Sequence, residues 1–358
     1  MTELWLGSTP GDGVEVWSIA RLLDGTLARR VESTVAKSSR VAKLVRPYWN
    51  TVLYLALDVT THRVVKGREG WLYLSTDVRD YPSLKARLRS PEIAAMICRF
   101  LSWLHEQGTE VLVVVVPNKE TIYPYYLPPA RPTFQPVYDE VLQALRDEGI
   151  WTLDLRPALE VGGAELYMRA DTHWSSAGAE LSARAVAAEV HRRFPEAPGR
   201  PIAARLWRTP DRLHAADMAE MLSVVPSISG GLQQCEARLY GVDEKGKVVE
   251  SDGPEPIALA GTSFSDTGAL ASLLSVSLGR VVEDRSGSGG GPTSAILTVA
   301  ESIARGDRPP PRLLIWEFPE RYFYVAQFRF EALPAFVDEL AVEGGGPGFH
   351  FDIPYQRE

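Results

Sequence analysis

Cysteine, histidine and long apolar runs are all scarce in this chain. Only Cys98 and Cys235 occur in 358 residues, and there is no C-x-x-C pair, which argues against a cysteine-ligated zinc site. Cys98 falls in the apolar run IAAMICRFL, the setting of a buried free thiol; a Cys98–Cys235 disulfide is the lesser alternative. No stretch reaches the ~18 apolar residues of a membrane-spanning helix, and the longest runs are TVLYLALDV and VLVVVV. The opening MTELWLGSTPGDG shows no basic segment followed by an apolar core, so no export signal is visible. There is no basic tract either, and the net charge is −8, which counts against a nucleic-acid-binding face.

What is present is ordinary for a soluble globular protein: 45% hydrophobic and 23% charged residues. The length suits one large domain or two ordinary ones. Residues 13 to about 55 have apolar positions at mixed three- and four-residue spacing and predict helix. GREGWLYL predicts a turn feeding a short strand. SPEIAAMICRFLSWLHEQG predicts a helix, with Ser90 as N-cap, Pro91 in the first helical position and Gly108 as the stop. EVLVVVVP is a continuous β-branched run, expected of a strand covered on both faces in a parallel sheet. A helix at about 134–147, the strand IWTLDL and a helix from SSAGAELSARAVAAEVHRRF come next. Residues 195–235 read as irregular and CEARLYGVD as extended. PIALAGTSF is a second buried strand, TGALASLLSVSLG a helix, RVVED a strand, AILTVAESIARG a helix and PRLLIWEF the last buried strand. Strand and helix alternate, so the expected class is α/β with a mostly parallel central sheet.

Two motifs carry chemistry. In PIALAGTSF a buried strand ends at Gly261, which puts Ser263 on a tight turn before a helix, at the sheet edge where α/β proteins bind ligands. A serine hydroxyl is a weak nucleophile until a base takes its proton; the plainer reading is that Ser263 caps the helix. In YMRADTHWSSAGA, Asp171 stands two residues before His173. Histidine serves as a general base near neutral pH, and a carboxylate can hold its other nitrogen protonated; the plainer reading is a helix-entry turn capped by Asp171. Both motifs lie at strand-to-helix junctions, which a parallel sheet gathers on one edge. The chain order Asp, His, Ser differs from the α/β-hydrolase order, and no G-x-S-x-G surrounds Ser263.

The blocks GREGWLYL, VVVVPNKETIYPYYLP, YMRADTHWSSAGA, LAGTSF, SGGG and LLIWEFPERYF occur in this order over roughly residues 55 to 330. Together they resemble the SGNH-hydrolase-like family of bacterial alginate O-acetyltransferases, the AlgJ/AlgX type. The resemblance implies a three-layer fold with a circularly permuted motif order, Thr262 standing where ordinary members carry aspartate. It implies Ser263 as nucleophile, His173 as base, Asp171 as its orienter and Tyr322 near the site. Implied too are an exopolysaccharide acceptor, alginate being one option among several; an acetyl donor supplied by a membrane-bound O-acyltransferase partner; a periplasmic or periplasm-facing location; and no metal or cofactor.

Other residues have two readings each. Gly289, Gly290 and Gly291 can bring amide donors to an oxyanion or form a plain surface loop. Lys119 points into the site or, more in keeping with its neighbours, makes an ion pair. Arg321 binds a sugar carboxylate or pairs with Glu317 or Glu320. Trp174 stacks on a sugar or belongs to the core. Trp71, Tyr73 and Trp316 read as core. His62, His105, His191, His214 and His350 have no evident partner. The expected organisation is an N-terminal helical segment (1–55), a catalytic domain (56–335) with an irregular insertion at 195–250, and a tail (336–358). With Glu358 close behind the last strand, little room is left for the carbohydrate-binding module of AlgX-type members. A carbohydrate acetylesterase would share every catalytic residue, and a non-catalytic polysaccharide-binding or assembly component would keep the fold alone.

Overall fold

In the run EVLVVVV every side chain after the first is apolar because both faces of the strand are covered. Leu112, Val114 and Val116 enter one apolar cluster; Val111, Val113 and Val115 enter another on the opposite side, the two-residue alternation of a strand. This strand, β1 (Glu110–Val116), belongs to a five-stranded sheet with β2 (Thr152–Asp154), β3 (Ile257–Ala260), β4 (Glu283–Asp284) and β5 (Leu313–Pro319). The order is β4-β3-β5-β1-β2, and every pairing is parallel. Pairing of β5 with β1 runs from Leu313↔Glu110 to Pro319↔Val116 and forms the sheet's spine. The chain is therefore an α/β protein in three layers, described in a computed structural model for residues 40–78, 81–128, 136–160, 165–325, 328 and 330.

The longer helices and the one that carries the serine turn are α1 (Arg40–Ala56), α2 (Ser90–Glu106), α3 (Tyr138–Asp147), α4 (Ser176–Arg193), α5 (Ser263–Thr267), α6 (Leu270–Leu278) and α7 (Ser294–Ala304). Helices α2, α3 and α7 cover the β1 face that carries Val111, Val113 and Val115. The other face is covered by α4 and α6, together with Trp71, Tyr73 and Phe264. Trp71, Tyr73 and Trp316 are fully buried, as the sequence suggested.

Some local expectations are corrected. Ser90 does not cap α2: Arg89 takes the cap position and Ser90 lies in the first turn, buried, with no partner for its hydroxyl. Residues 195–235 are not irregular. They contain the strands Ala204–Arg208 and Arg212–Leu213 and the short helices Asp217–Met221 and Pro226–Gly231. The strands pair antiparallel with Leu239–Asp243 and Cys235–Glu236. Cys98 is half-buried, Cys235 is exposed, and both are free. The expected helix at 13–55 is present from Arg40 onward; residues 1–39 and the tail 336–358 lie outside the described residues, as does His350. Helix α1 seats Tyr54 in a small cluster with Leu72, Met218 and Leu222 but leaves Leu44, Tyr48, Trp49 and Leu55 exposed.

Candidate active site

The serine turn leaves β3 directly. Gly261 is obligatory there, because a Cβ would sit 2.2 Å from Ser265 Oγ. Thr262, in extended backbone, is the N-cap of α5, its hydroxyl accepting from the Phe264 amide. Ser263 is thus spared the capping role that the sequence allowed it. The turn is braced from β5: Glu317, fully buried, accepts from the Thr262 amide at 2.8 Å and from Ser265 Oγ at 2.7 Å. Burial raises the Glu317 pKa against the pull of those donors.

The Asp-His motif sits inside a loop closed by a bridge of Tyr167 with Trp174, just before the start of α4. Ser175, not Asp171, caps α4 through a bond from the Gly178 amide. Lys119, shortly after the end of β1, donates from Nζ to the carbonyls of Met168, Arg169 and Asp171 at 3.0, 2.9 and 2.8 Å. The expected ion pair is therefore replaced by three backbone bonds: Lys119 ties the loop to the sheet. Burial pushes its pKa down to about 7, although Asp217 and Asp171 favour the charged form.

The two motifs meet. His173 Nε2 lies 2.8 Å from Ser263 Oγ, and His173 Nδ1 lies 2.6 Å from Asp171 Oδ1. These are hydrogen-bond distances at both ring nitrogens. Asp171 Oδ1 also accepts from the His173 amide, and Oδ2 accepts from the Asp217 amide at 2.8 Å and from His214 Nε2 at 3.2 Å. Burial alone would favour the neutral acid, but the bonds from His173, His214 and the Asp217 amide hold Asp171 well below the usual carboxylate range. It is thus an anion at neutral pH. In return the bond to Asp171 raises the His214 pKa, against burial. His214 is the neighbour of Asp171 missed in sequence, where nothing links it to a partner 43 residues earlier.

Asp171, His173 and Asp217 also place ligand-type atoms within 4.8 Å of one another. Their oxygens are already spent on hydrogen bonds, Asp217 taking the Thr172 amide at 2.9 Å and hydroxyl at 2.6 Å. Donor protons aimed at those oxygens oppose a cation.

The remaining predicted residues divide. Trp174 is buried, its indole N–H donating to the Phe264 carbonyl at 3.0 Å; it is core and offers no face to a sugar. Arg321 pairs with neither Glu317 nor Glu320 but faces Asp77 at 3.6 Å, its guanidinium 5.6 Å from the Phe264 ring centre. The Phe264 ring lies 4.9 Å from the His173 ring, so Arg321 reaches the site through one aromatic side chain. Glu320 accepts from Thr121 at 2.7 Å, and burial raises its pKa to about 8. Tyr322, half-buried beside this group, packs on the α2 side of the sheet. The glycine loop runs alongside the serine turn: the Gly287 amide donates to the Gly261 carbonyl at 3.1 Å and Ser288 Oγ to Asp266 at 2.6 Å. Gly289 and Gly290 are exposed and Gly291 partly so.

Comparison with known proteins adds the family. Residues 64–320 match the family described as SGNH hydrolase-like domain, acetyltransferase AlgX. The probable alginate O-acetylase AlgJ of Pseudomonas aeruginosa is 28% identical, over 90% of this chain and 86% of its own length. The alginate biosynthesis protein AlgX of the same organism is 28% identical over 74% of this chain and 57% of its own length. The solved O-acetyltransferase domain of Pseudomonas putida AlgJ superposes with a TM-score of 0.63 at 24% identity, covering 77% of this chain and 98% of that one. The solved Pseudomonas aeruginosa AlgX gives 0.60 at 26% identity, covering 76% and 65%.

Proposed function

Since the chain belongs to this family of SGNH hydrolase-like, AlgX-type acetyltransferase domains, we propose that it is a polysaccharide O-acetyltransferase working through an acetyl-serine at Ser263. The observation that carries the reading is the unbroken line Asp171–His173–Ser263, at 2.6 and 2.8 Å. In the first half-reaction His173 Nε2 takes the Ser263 proton as Oγ attacks the acetyl carbonyl. Collapse of the tetrahedral intermediate expels the donor's leaving group, which receives that proton from the imidazolium. In the second half, His173 takes the proton of a sugar hydroxyl as its oxygen attacks the acetyl-serine, then returns it to Ser263 Oγ. Asp171 fixes the ring with Nδ1 protonated and steadies the imidazolium. The Ser263 amide, the first of α5 and without an acceptor in its own helix, is the oxyanion donor this geometry favours.

The acceptor is an exopolysaccharide like the alginate named for the relatives, and the acetyl group is handed over by a membrane-bound O-acyltransferase at the periplasmic face. No described helix is long and apolar enough to cross a membrane.

The experiment compares wild type with Ser263→Ala on a chromogenic acetyl ester and tracks products with an oligosaccharide present. Wild type should form a labelled acetyl-enzyme and acetylated sugar; the variant should lose about 10⁴-fold or more of the rate. A label that persists in Ser263→Ala overturns the assignment, and release of free acetate alone makes the protein an acetylesterase.

A further inference from the structure

Exposed arginines stand close together in one short stretch of this acidic protein. The chain carries a net −8, yet the stretch ARLWRTPDRLH at 204–214 holds three arginines and one aspartate. It folds as two consecutive ribbons, Ala204–Arg208 against Leu239–Asp243 and Arg212–Leu213 against Cys235–Glu236. In the first ribbon Leu206 and Leu239 pack on the α4–α6 core. By strand alternation Arg205 and Trp207 therefore face outward, with Tyr240 directly across from Trp207. Trp207 is 43% exposed, and its ring centre lies 6.4 Å from that of Tyr240.

Arg205, Arg208, Arg212 and Arg238 are all exposed. The nearby acids are engaged elsewhere: Asp211 pairs with Arg208 at 3.3 Å, Glu236 accepts from the Ser176 amide, and Asp243 accepts from the amides of Lys245 and Lys247. Arg205, Arg212 and Arg238 have no ion-pair partner among the described residues. Glu236 stands across the ribbon from Arg212 without pairing with it, so an exposed tryptophan beside three guanidinium groups that make no ion pair leaves both open to a ligand with carboxylates and ring faces.

The second ribbon adjoins the Asp171 end of the candidate site. His214 comes directly after the second ribbon and donates to Asp171 at 3.2 Å, and the Arg238 charge acts on the His214 ring.

We propose that the paired ribbons form the acceptor track, binding an acidic glycan with Arg205, Arg212 and Arg238 on its carboxylates and Trp207 and Tyr240 under its sugar rings. Guanidinium forks match carboxylates bidentately, which a lysine surface would not do. The direction of the track, toward Ser263, rests on the acyl-transfer reading; the binding itself does not.

The test is isothermal titration of the full chain with alginate oligomers and, in parallel, neutral cello-oligomers of equal length, with no acetyl donor present. Wild type should bind the acidic oligomers, more weakly as salt rises, and should bind the neutral ones far less. The Arg205→Ala/Trp207→Ala/Arg212→Ala variant should bind about ten-fold or more weakly with an unchanged melting temperature. If that variant fails to fold, Arg205→Gln/Arg212→Gln, which alters only exposed side chains, takes its place with the same expectation. Absence of binding by wild type, equal binding of both oligomers, or full binding by a folded variant overturns the track. Because no acyl donor is present, failure of the serine mechanism leaves this measurement intact, and the ester assay on Ser263→Ala reads that mechanism separately.

Discussion

Asp171 serves two histidines at once, and each oxygen of its carboxylate has its own duty. Oδ1 holds His173, while Oδ2 is filled by His214 and the Asp217 amide. With Oδ2 saturated, the carboxylate cannot rotate to offer His173 a different geometry. His214→Ala should therefore lower kcat on a small acetyl ester by roughly ten-fold with little change in KM, the worth of one charge-assisted bond. A pH signature separates this from a general packing defect. The His214 pKa is raised in the fold, so its stabilising contribution is complete below the unfolded pKa of 6.5 and fades as pH rises through the folded value. Denaturant titrations should show His214→Ala losing more stability at about pH 6 than at about pH 9; a loss that is equal at both would exclude the charged pair. Sequence showed Asp171, His173 and Ser263 because each stands in a compact local motif. It did not show His214, Glu317 or the real role of Lys119, since their partners lie 43, 55 and about 50 residues away, and nothing local marks such a bond.

At the level of elements, the buried strands were legible because continuous apolar runs of that length have few other uses. EVLVVVV, PIALA and RLLIWEF all became central strands with helices on both sides. The ribbons at 204–213 were not legible: Ala204–Arg208 has exposed or half-exposed side chains throughout, so no apolar period announces it. The Ser90 cap failed for a different reason. Residue type favours serine there, but the chain enters α2 one residue earlier and leaves Ser90 inside the first turn. The serine turn shows how tightly an element can specify its residues. A methyl group on Gly261 would overlap both Oγ and Cβ of Ser265, at 2.2 and 2.4 Å, and could be accommodated only by displacing α5. Gly261→Ala should cost roughly 1–3 kcal/mol of stability and abolish acylation of Ser263, measured by thermal melting and by labelling. A variant that melts lower yet labels at the wild-type rate would show that the turn tolerates movement.

Over the whole molecule, the two halves of the candidate site hang from neighbouring strands. The histidine loop is tied by Lys119 just past β1, and the serine turn by Glu317 within β5. Those strands are hydrogen-bonded in register along seven residues. The 2.8 Å gap between His173 and Ser263 is thus a dimension of the sheet's centre and not of any surface loop. Heat should reveal this: the temperature that halves ester turnover ought to coincide with the temperature that melts the sheet, with no cooler interval in which a folded protein has already gone silent.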